Sequence, residues 1–411
     1  MHPSHLPSPI ARGLIAAPRV ITCDPHRPDP LGVVENGAVL IEGGHVVAVD
    51  HLHTLRSSGA PVVLHGQGVL TPGLVDAHTH AAWVGSRHDE YRIRMAGGDY
   101  EAIARAGGGI RSTMRSVREI PQKELERQLW CRLRRMLSQG VTTIEVKSGY
   151  GLDEANERKQ LLAIRYAGTA PELPRVVPTY LALHAVPPEF EGQRTTYAAA
   201  VLPWLRAIAQ EGLAQFVDAY VDRSAFSVDE AEPALRMARE LGLGVRLHAG
   251  QFADIGACEL AARVGASSAD HLEHVGPAAI EALAGAGVAA VMLPVASFTL
   301  GQAPPPVGAL RKAGIPLVVA SDANPGTAPT ESLPLAMALA ARLYGLSPTE
   351  CLLGATRLAA ESLGLTGVAG ILAPGASADL VLWELPHEDA LVQPWGPPPV
   401  EAVVLRGVRV Y

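Results

Sequence analysis

Pro72-Gly-Leu-Val-Asp-Ala-His-Thr-His80 is a short apolar run that ends in two histidines two positions apart. Gly73–Ala77 has the length and composition of a buried strand. On an extended chain, residues two apart point the same way, so His78 and His80 can aim at one target. Further along lie seven runs of the same kind. They are Val141–Val146, Arg175–Leu181, Phe216–Val221, Gly244–Leu247, Ser268–His271, Val288–Met292 and Leu317–Ala320. Helix-like stretches separate them, among them Gln122–Ser138, Asp153–Thr169, Thr195–Gln210, Val228–Leu241 and Ile255–Val264. Eight strand-then-helix repeats predict an α/β fold of the (β/α)8 barrel kind over residues 72–367. An open doubly wound sheet shares this periodicity. Two observations favour the barrel: no Gly-x-Gly-x-x-Gly follows the first strand, and the polar residues described below all sit at strand C-termini.

The chain outside this repeat reads differently. Gly37–Val49 is two apolar runs around Glu42-Gly-Gly44, which is a hairpin pattern. Ala378–Trp383 and Val400–Val410 are β-rich with turn residues between them. Residues 1–71 and 368–411 are therefore expected to build one small β-sandwich domain from both chain ends.

Composition narrows the function. The 411 residues carry a net charge of -7, with 48% hydrophobic and only 5% aromatic residues. That supports a large core and argues against a disordered chain or a basic nucleic-acid binder. Cys23, Cys131, Cys258 and Cys351 are far apart, as expected of reduced thiols. Residues 1–9 lack the apolar segment of a secretory signal. The longest apolar candidate, Val288–Leu300, is broken by Pro294 and falls short of the ~18 residues of a membrane span. A cytoplasmic protein without membrane contact is expected.

A lone His-x-His carries little weight, but this one has company. The fifth strand ends in His248, the sixth in Asp270-His271 and the eighth in Ser321-Asp322. Barrel enzymes place their chemistry at that face. Three imidazoles and a carboxylate, His78, His80, His248 and Asp322, suit a divalent metal and leave a position open for water. Both zinc (Zn2+) and iron (Fe2+ or Fe3+) accept such ligands.

Those residues, with Ala376-Ser-Ala-Asp-Leu-Val381 returning to the β domain, resemble the amidohydrolase superfamily. Finer motifs resemble its imidazolonepropionase family: Asp76–Arg87, Gly107-Gly-Gly-Ile-Arg111, Glu145–Leu152, Thr179–His184, Ala269–His274 and Ser321–Thr327. The resemblance spans nearly the whole chain. It implies opening of the cyclic amide 4-imidazolone-5-propanoate to N-formimidoyl-L-glutamate, with one bound zinc or iron and a homodimeric assembly. It gives Asp322 the role of base as well as ligand, and His271 that of polarising the carbonyl. Arg87 is implied to hold the substrate carboxylate, while Tyr150 and His184 contact the ring and its product. Asn324, Gly326 and Thr327 follow the metal aspartate, and their turn is expected to offer backbone N–H groups to a second polar group of the substrate.

Two further residues bear on the choice among relatives. Two-metal relatives carry a lysine at the end of the fourth strand. Here Lys147 ends the second strand and the fourth runs into Val221-Asp-Arg223, which favours one metal. Ring deaminases carry Glu three residues after the strand-five histidine. This chain has Gln251, expected to bond a ring amide through both groups of its carboxamide. Another cyclic-amide hydrolase, a ring deaminase and a non-catalytic scaffold are the rival readings. Gly250 is a mild departure from the family, many of whose members are expected to carry an acidic residue beside that position. Gly107–Gly109 reads as a lid or a surface turn, His274 as the start of a helix, and His88 as either site-lining or solvated.

Overall fold

Residues 8–97, 108–396 and 398–411 are described in the computed structural model. The chain opens with β1 (Arg12–Ile21), β2 (Val33–Glu42), β3 (His45–His51), β4 (Val62–His65) and β5 (Val69–Pro72). The barrel strands follow: β6 (Leu74–Asp76), β7 (Val141–Lys147), β8 (Arg175–Leu183), β9 (Phe216–Val221), β10 (Gly244–Ala249), β11 (Ser268–His271), β12 (Ala289–Met292) and β13 (Leu317–Val319). The last strands are β14 (Leu380–Trp383), β15 (Val400–Leu405) and β16 (Val408–Arg409).

β6 to β13 pair in sequence order, and every ladder is parallel. The ring closes without a full ladder. Thr79 bridges Ala323, the Asp322 N–H donates to the His78 carbonyl at 3.1 Å, and the His80 N–H donates to the Ala323 carbonyl at 3.0 Å. Asp76 adds a side-chain closure, accepting from the Ser321 N–H at 3.0 Å and its hydroxyl at 2.6 Å. The two segments that carry the first and last metal-ligand candidates are therefore also the seam of the barrel.

Strands covered on both faces read as continuous rather than alternating apolar runs. β12, Ala-Ala-Val-Met, is such a run and is buried at every position. The surrounding helices start where local chemistry caps them. Ser227 with Glu230 and Ser347 with Glu350 form reciprocal capping boxes, and Asp153 accepts from the Asn156 N–H at 2.8 Å.

The terminal strands form one mixed sheet in the order β16-β15-β14-β5-β1-β2-β3, with β4 beside β1. Ile15, Val39 and Ile41 from one side share an apolar cluster with Leu380, Leu382 and Val404 from the other. The sheet curls until its ends meet: His45 bridges Ser377, and the two hairpin turns touch. Gly44, at φ +83°, has no room for a side chain, because a Cβ would lie 2.9 Å from the Arg406 carbonyl oxygen.

One expectation is corrected and one open choice is decided. His274 is not in a helix. The helix begins at Pro277, whose ring suits the first helical position, and His274 lies in the preceding turn with its N–H on the Gly250 carbonyl at 2.7 Å. His88 faces solvent with its side chain 77% exposed, so it does not line the site. Among the described residues no helix is long and apolar enough to cross a membrane.

Candidate metal centre and substrate pocket

The C-terminal ends of β6, β10, β11 and β13 bring four imidazoles and a carboxylate together. Nε2 of His80 lies 3.3 Å from Nε2 of His248, and Nε2 of both His78 and His80 is 3.5 Å from Asp322 Oδ1. Candidate ligand atoms of His78, His80 and Asp322 lie within 4.8 Å of one another, as do those of His78, His248 and His271. The sequence-expected set of His78, His80, His248 and Asp322 is thus one buried cluster, with His271 beside it.

Carboxylates beneath the cluster aim its rings. His78 Nδ1 bonds Asp270 Oδ2 at 2.6 Å, and His248 Nδ1 bonds Asp218 Oδ1 at 3.2 Å. Both rings then turn Nε2 toward the centre, where His78 Nε2 is buried without a partner among the described residues. An orphaned buried ring nitrogen amid oxygen and nitrogen ligands fits a divalent ion. Burial depresses the basicity of His78 and His80 well below the usual range and raises Asp322 to about 7. His78 and His80 are therefore neutral, the form that binds metal.

Lys147 explains how so many carboxylates stay buried. Its Nζ is 2.8 Å from Glu145 Oε1, 2.8 Å from Asp218 Oδ2 and 4.0 Å from Asp270 Oδ2. Burial opposes its charge, yet Asp218 and Glu145 more than offset this and raise its pKa. Arg246, fully buried, adds a second cation 3.6 Å from Asp270. Lys147 is committed to ion pairs under the ligands and does not stand among them. Glu145 also accepts the Thr79 N–H at 3.1 Å, which holds the segment between the paired histidines.

Backbone strain concentrates here. His271 has φ 86°, Leu272 φ 74° and Asp322 φ 56°. Positive φ is uncommon away from glycine; His271 and Asp322 line the pocket, while Leu272 between strand and turn packs into the core.

A pocket opens from the cluster and is lined by Arg87, Tyr150, His184, Gln251, Asn324, Gly326 and Thr327, all the expected binding residues. His184 stacks on His80 at 5.3 Å between ring centroids, and its Nδ1–H donates to the Gly149 carbonyl at 2.7 Å. Burial, then His248, lowers His184 to about 3, so its Nε2 is an acceptor. Arg87 Nε donates to Thr113 Oγ1 at 2.9 Å, its guanidinium lies 5.9 Å from the centre of the Tyr150 ring, and its Nη2 is buried with no partner among the described residues. Nη1 packs against Gly326, where a Cβ would lie 2.4 Å away.

Two roles differ from expectation. The Gly326 and Thr327 N–H groups do not face the pocket. Both donate to Asn324 Oδ1 at 2.8 Å, because an Asn side chain readily folds back on the next turn. Asn324 and Thr327 build the wall against which Arg87 rests. Gln251 Oε1 already accepts from the Tyr220 hydroxyl at 2.6 Å, so the carboxamide NH2 is its unengaged group among the described residues. Sequence reasoning missed Tyr220, Thr113, Glu90, Asp218 and Glu145. Glu90 accepts the Gly109 N–H at 2.8 Å and lies 3.9 Å from Arg87. Gly108 and Gly109 reach the pocket region, while Gly107 falls outside the described residues.

A buried imidazole–carboxylate cluster at the mouth of a parallel barrel, with a side sheet from both termini, defines the amidohydrolase class, and a model of the Amidohydrolase family matches residues 91–411. The fold is shared with an adenosine deaminase from Xanthomonas campestris with bound zinc, at TM-score 0.68, 20% identity and coverage of 96% of this chain and 92% of that one. It is also shared with the guanine deaminase of E. coli, at TM-score 0.71, 17% identity and coverage of 97% and 99%. Sequence relatives are much nearer. The imidazolonepropionase of Acidiphilium cryptum (strain JF-5) is 45% identical over 95% of this chain and 97% of its own length. That of Rhizobium meliloti (strain 1021) is 42% identical over 93% of each. The chain belongs to the imidazolonepropionase family.

Proposed function

We propose that the protein hydrolyses the ring amide of 4-imidazolone-5-propanoate, giving N-formimidoyl-L-glutamate in histidine degradation. One observation carries the reading beyond the family name. Arg87 lines the same pocket as the imidazole–carboxylate cluster, and its Nη2 is buried without a partner among the described residues. A guanidinium with a free buried donor matches a carboxylate, and the substrate is a ring amide carrying one.

The reading assigns one ion, zinc or iron, to His78, His80, His248 and Asp322. Such an ion supplies a water acidified toward neutrality. Asp322 receives the proton of the attacking water and delivers it to the ring nitrogen as the C–N bond breaks, so one water is consumed and the carbonyl carbon becomes a carboxylate. His271 bonds the carbonyl oxygen as it gains charge. Arg87 fixes the propanoate, Tyr150 and His184 border the ring, and the Gln251 NH2 is the donor that Tyr220 orients toward it. Gln251 cannot protonate a ring nitrogen, which favours hydrolysis over deamination. Residues 72–367 carry this chemistry, with 1–71 and 368–411 as the composite supporting domain.

The test compares two substrates. Loss of ring ultraviolet absorbance is followed with imidazolonepropanoate and with the same ring lacking the propanoate. The full substrate is expected to react without ammonia release, and the truncated one to lose at least ~30-fold in kcat/KM through the missing Arg87 contact. Equal rates on both, or ammonia as product, would refute the reading.

A further inference from the structure

Behind His271 lies a buried polar chain that the hydrolytic scheme does not use. Glu273 is two residues further on, with its side chain 1% exposed. Its Oε1 accepts from the Ser297 hydroxyl at 2.5 Å. Ser297, on the helix Pro294–Leu300, is also 2.6 Å from the hydroxyl of Tyr344, the last residue of the helix Leu333–Tyr344. A serine hydroxyl has one proton. Because Ser297 gives it to Glu273, Tyr344 must be the donor to Ser297. The chain therefore runs in one direction, Tyr344 to Ser297 to Glu273, and ends on the remaining carboxylate oxygen.

Among the described residues that oxygen, Oε2, is buried without a partner, and so is Nδ1 of His271. The two orphans face each other at 3.9 Å. Two buried polar atoms left open side by side are a costly arrangement for a structural pair. It is a common one for a catalytic pair, whose hydrogen bonds are often long before substrate binds. Oε1 is anchored by Ser297, so a small rotation of the carboxylate or of the imidazole closes the gap.

We propose that Glu273 is a positioning residue for the hydrolysis: its Oε2 and Nδ1 of His271 share one proton, which fixes the ring's orientation and leaves the Nε2–H of His271 to bond the developing oxyanion. The inference rests on the proposed role of His271. A carboxylate acting this way strengthens an interaction made in the transition state, so its loss lowers kcat and leaves KM alone.

The experiment compares Glu273→Leu and Glu273→Gln in the metal-loaded protein, with two readouts. The first is steady-state kinetics beside metal content. Glu273→Leu is expected to lose ~10- to 100-fold in kcat, the range seen for residues that orient functional groups, with KM and metal content unchanged. Glu273→Gln, which can still accept Nδ1–H but is neutral, recovers part of the loss. The second readout is the 15N resonance of His271 Nδ1, assigned by its disappearance in His271→Asn and recorded without substrate. It is expected to report a protonated Nδ1 in the native protein and a loss of that state in Glu273→Leu. Because it needs no turnover, it separates failure of this proposal from failure of the substrate assignment. Full kcat in Glu273→Leu, a loss that follows metal content or KM, or an unchanged Nδ1 signal would overturn the proposal. If Glu273→Leu does not fold, native kcat together with a native Nδ1 signal in Glu273→Gln does the same.

Discussion

The two poles of the pocket are built on opposite plans. At the metal pole, His78, His80, His248, His271 and Asp322 stand at or just beyond strand ends, and Asp270, Asp218, Glu145 and Lys147 buttress them from inside the barrel. At the carboxylate pole, Arg87, Thr113, Glu90 and the turn Asn324–Thr327 come from loops and helix starts, and each leans on the next. The strand pole holds its donors in orientations set by the sheet itself. The loop pole obtains its geometry from a few hydrogen bonds among side chains. Reactivity is thus placed on the rigid part, and choice of substrate on the part that a few substitutions can rebuild.

The contrast can be broken in four places. Asp322→Asn removes a charged ligand and the proton carrier together and should lower kcat by at least ~1,000-fold, measured by ring absorbance. Near-native turnover with metal retained would dissolve the metal pole as described. Arg87→Met acts at the other pole. It should raise KM and cut kcat/KM by ~30- to 150-fold, the worth of charge-assisted hydrogen bonds to the carboxylate, while metal content stays native. Asp218→Asn tests whether the buttress matters. His248 loses a charged partner, so metal affinity should fall ~10- to 100-fold in a competition titration with a chelator, and KM at saturating metal should change little. Gly326→Ala is the mildest. A Cβ 2.4 Å from Arg87 Nη1 displaces the guanidinium and should raise KM ~3- to 10-fold without touching metal affinity. An effect of Gly326→Ala on metal binding would show that the poles are not separate.

The same contrast decides what the sequence could reveal. His78-x-His80, His248, His271 and Asp322 were legible because the strand period fixes where a side chain points, and the strand–helix repeat fixes which end of the strand is functional. The barrel and the β-rich termini follow from the same patterns. Asp218 and Glu145 were hidden although they lie on strands. An acidic residue inside a buried strand declares itself only when Lys147 and His248 are known to be beside it. Thr113 was invisible, since its contact with Arg87 spans 26 residues and a loop. Tyr220 reaches Gln251 from the neighbouring strand, where β9 and β10 place Tyr220 opposite His248. Asn324 was misread although a signal was present. Asn followed by Pro-Gly-Thr is turn composition in which the Asn side chain serves the turn itself.

Everything at the metal pole turns on one ion serving the hydrolysis of a carboxylated ring amide. The most direct test strips the purified protein of metal and titrates a divalent ion back while imidazolonepropanoate consumption and ammonia are both followed. Activity should rise linearly and level off at one ion per chain, with N-formimidoylglutamate as product and no ammonia. A plateau only at two ions per chain, or ammonia released in step with ring loss, would contradict it.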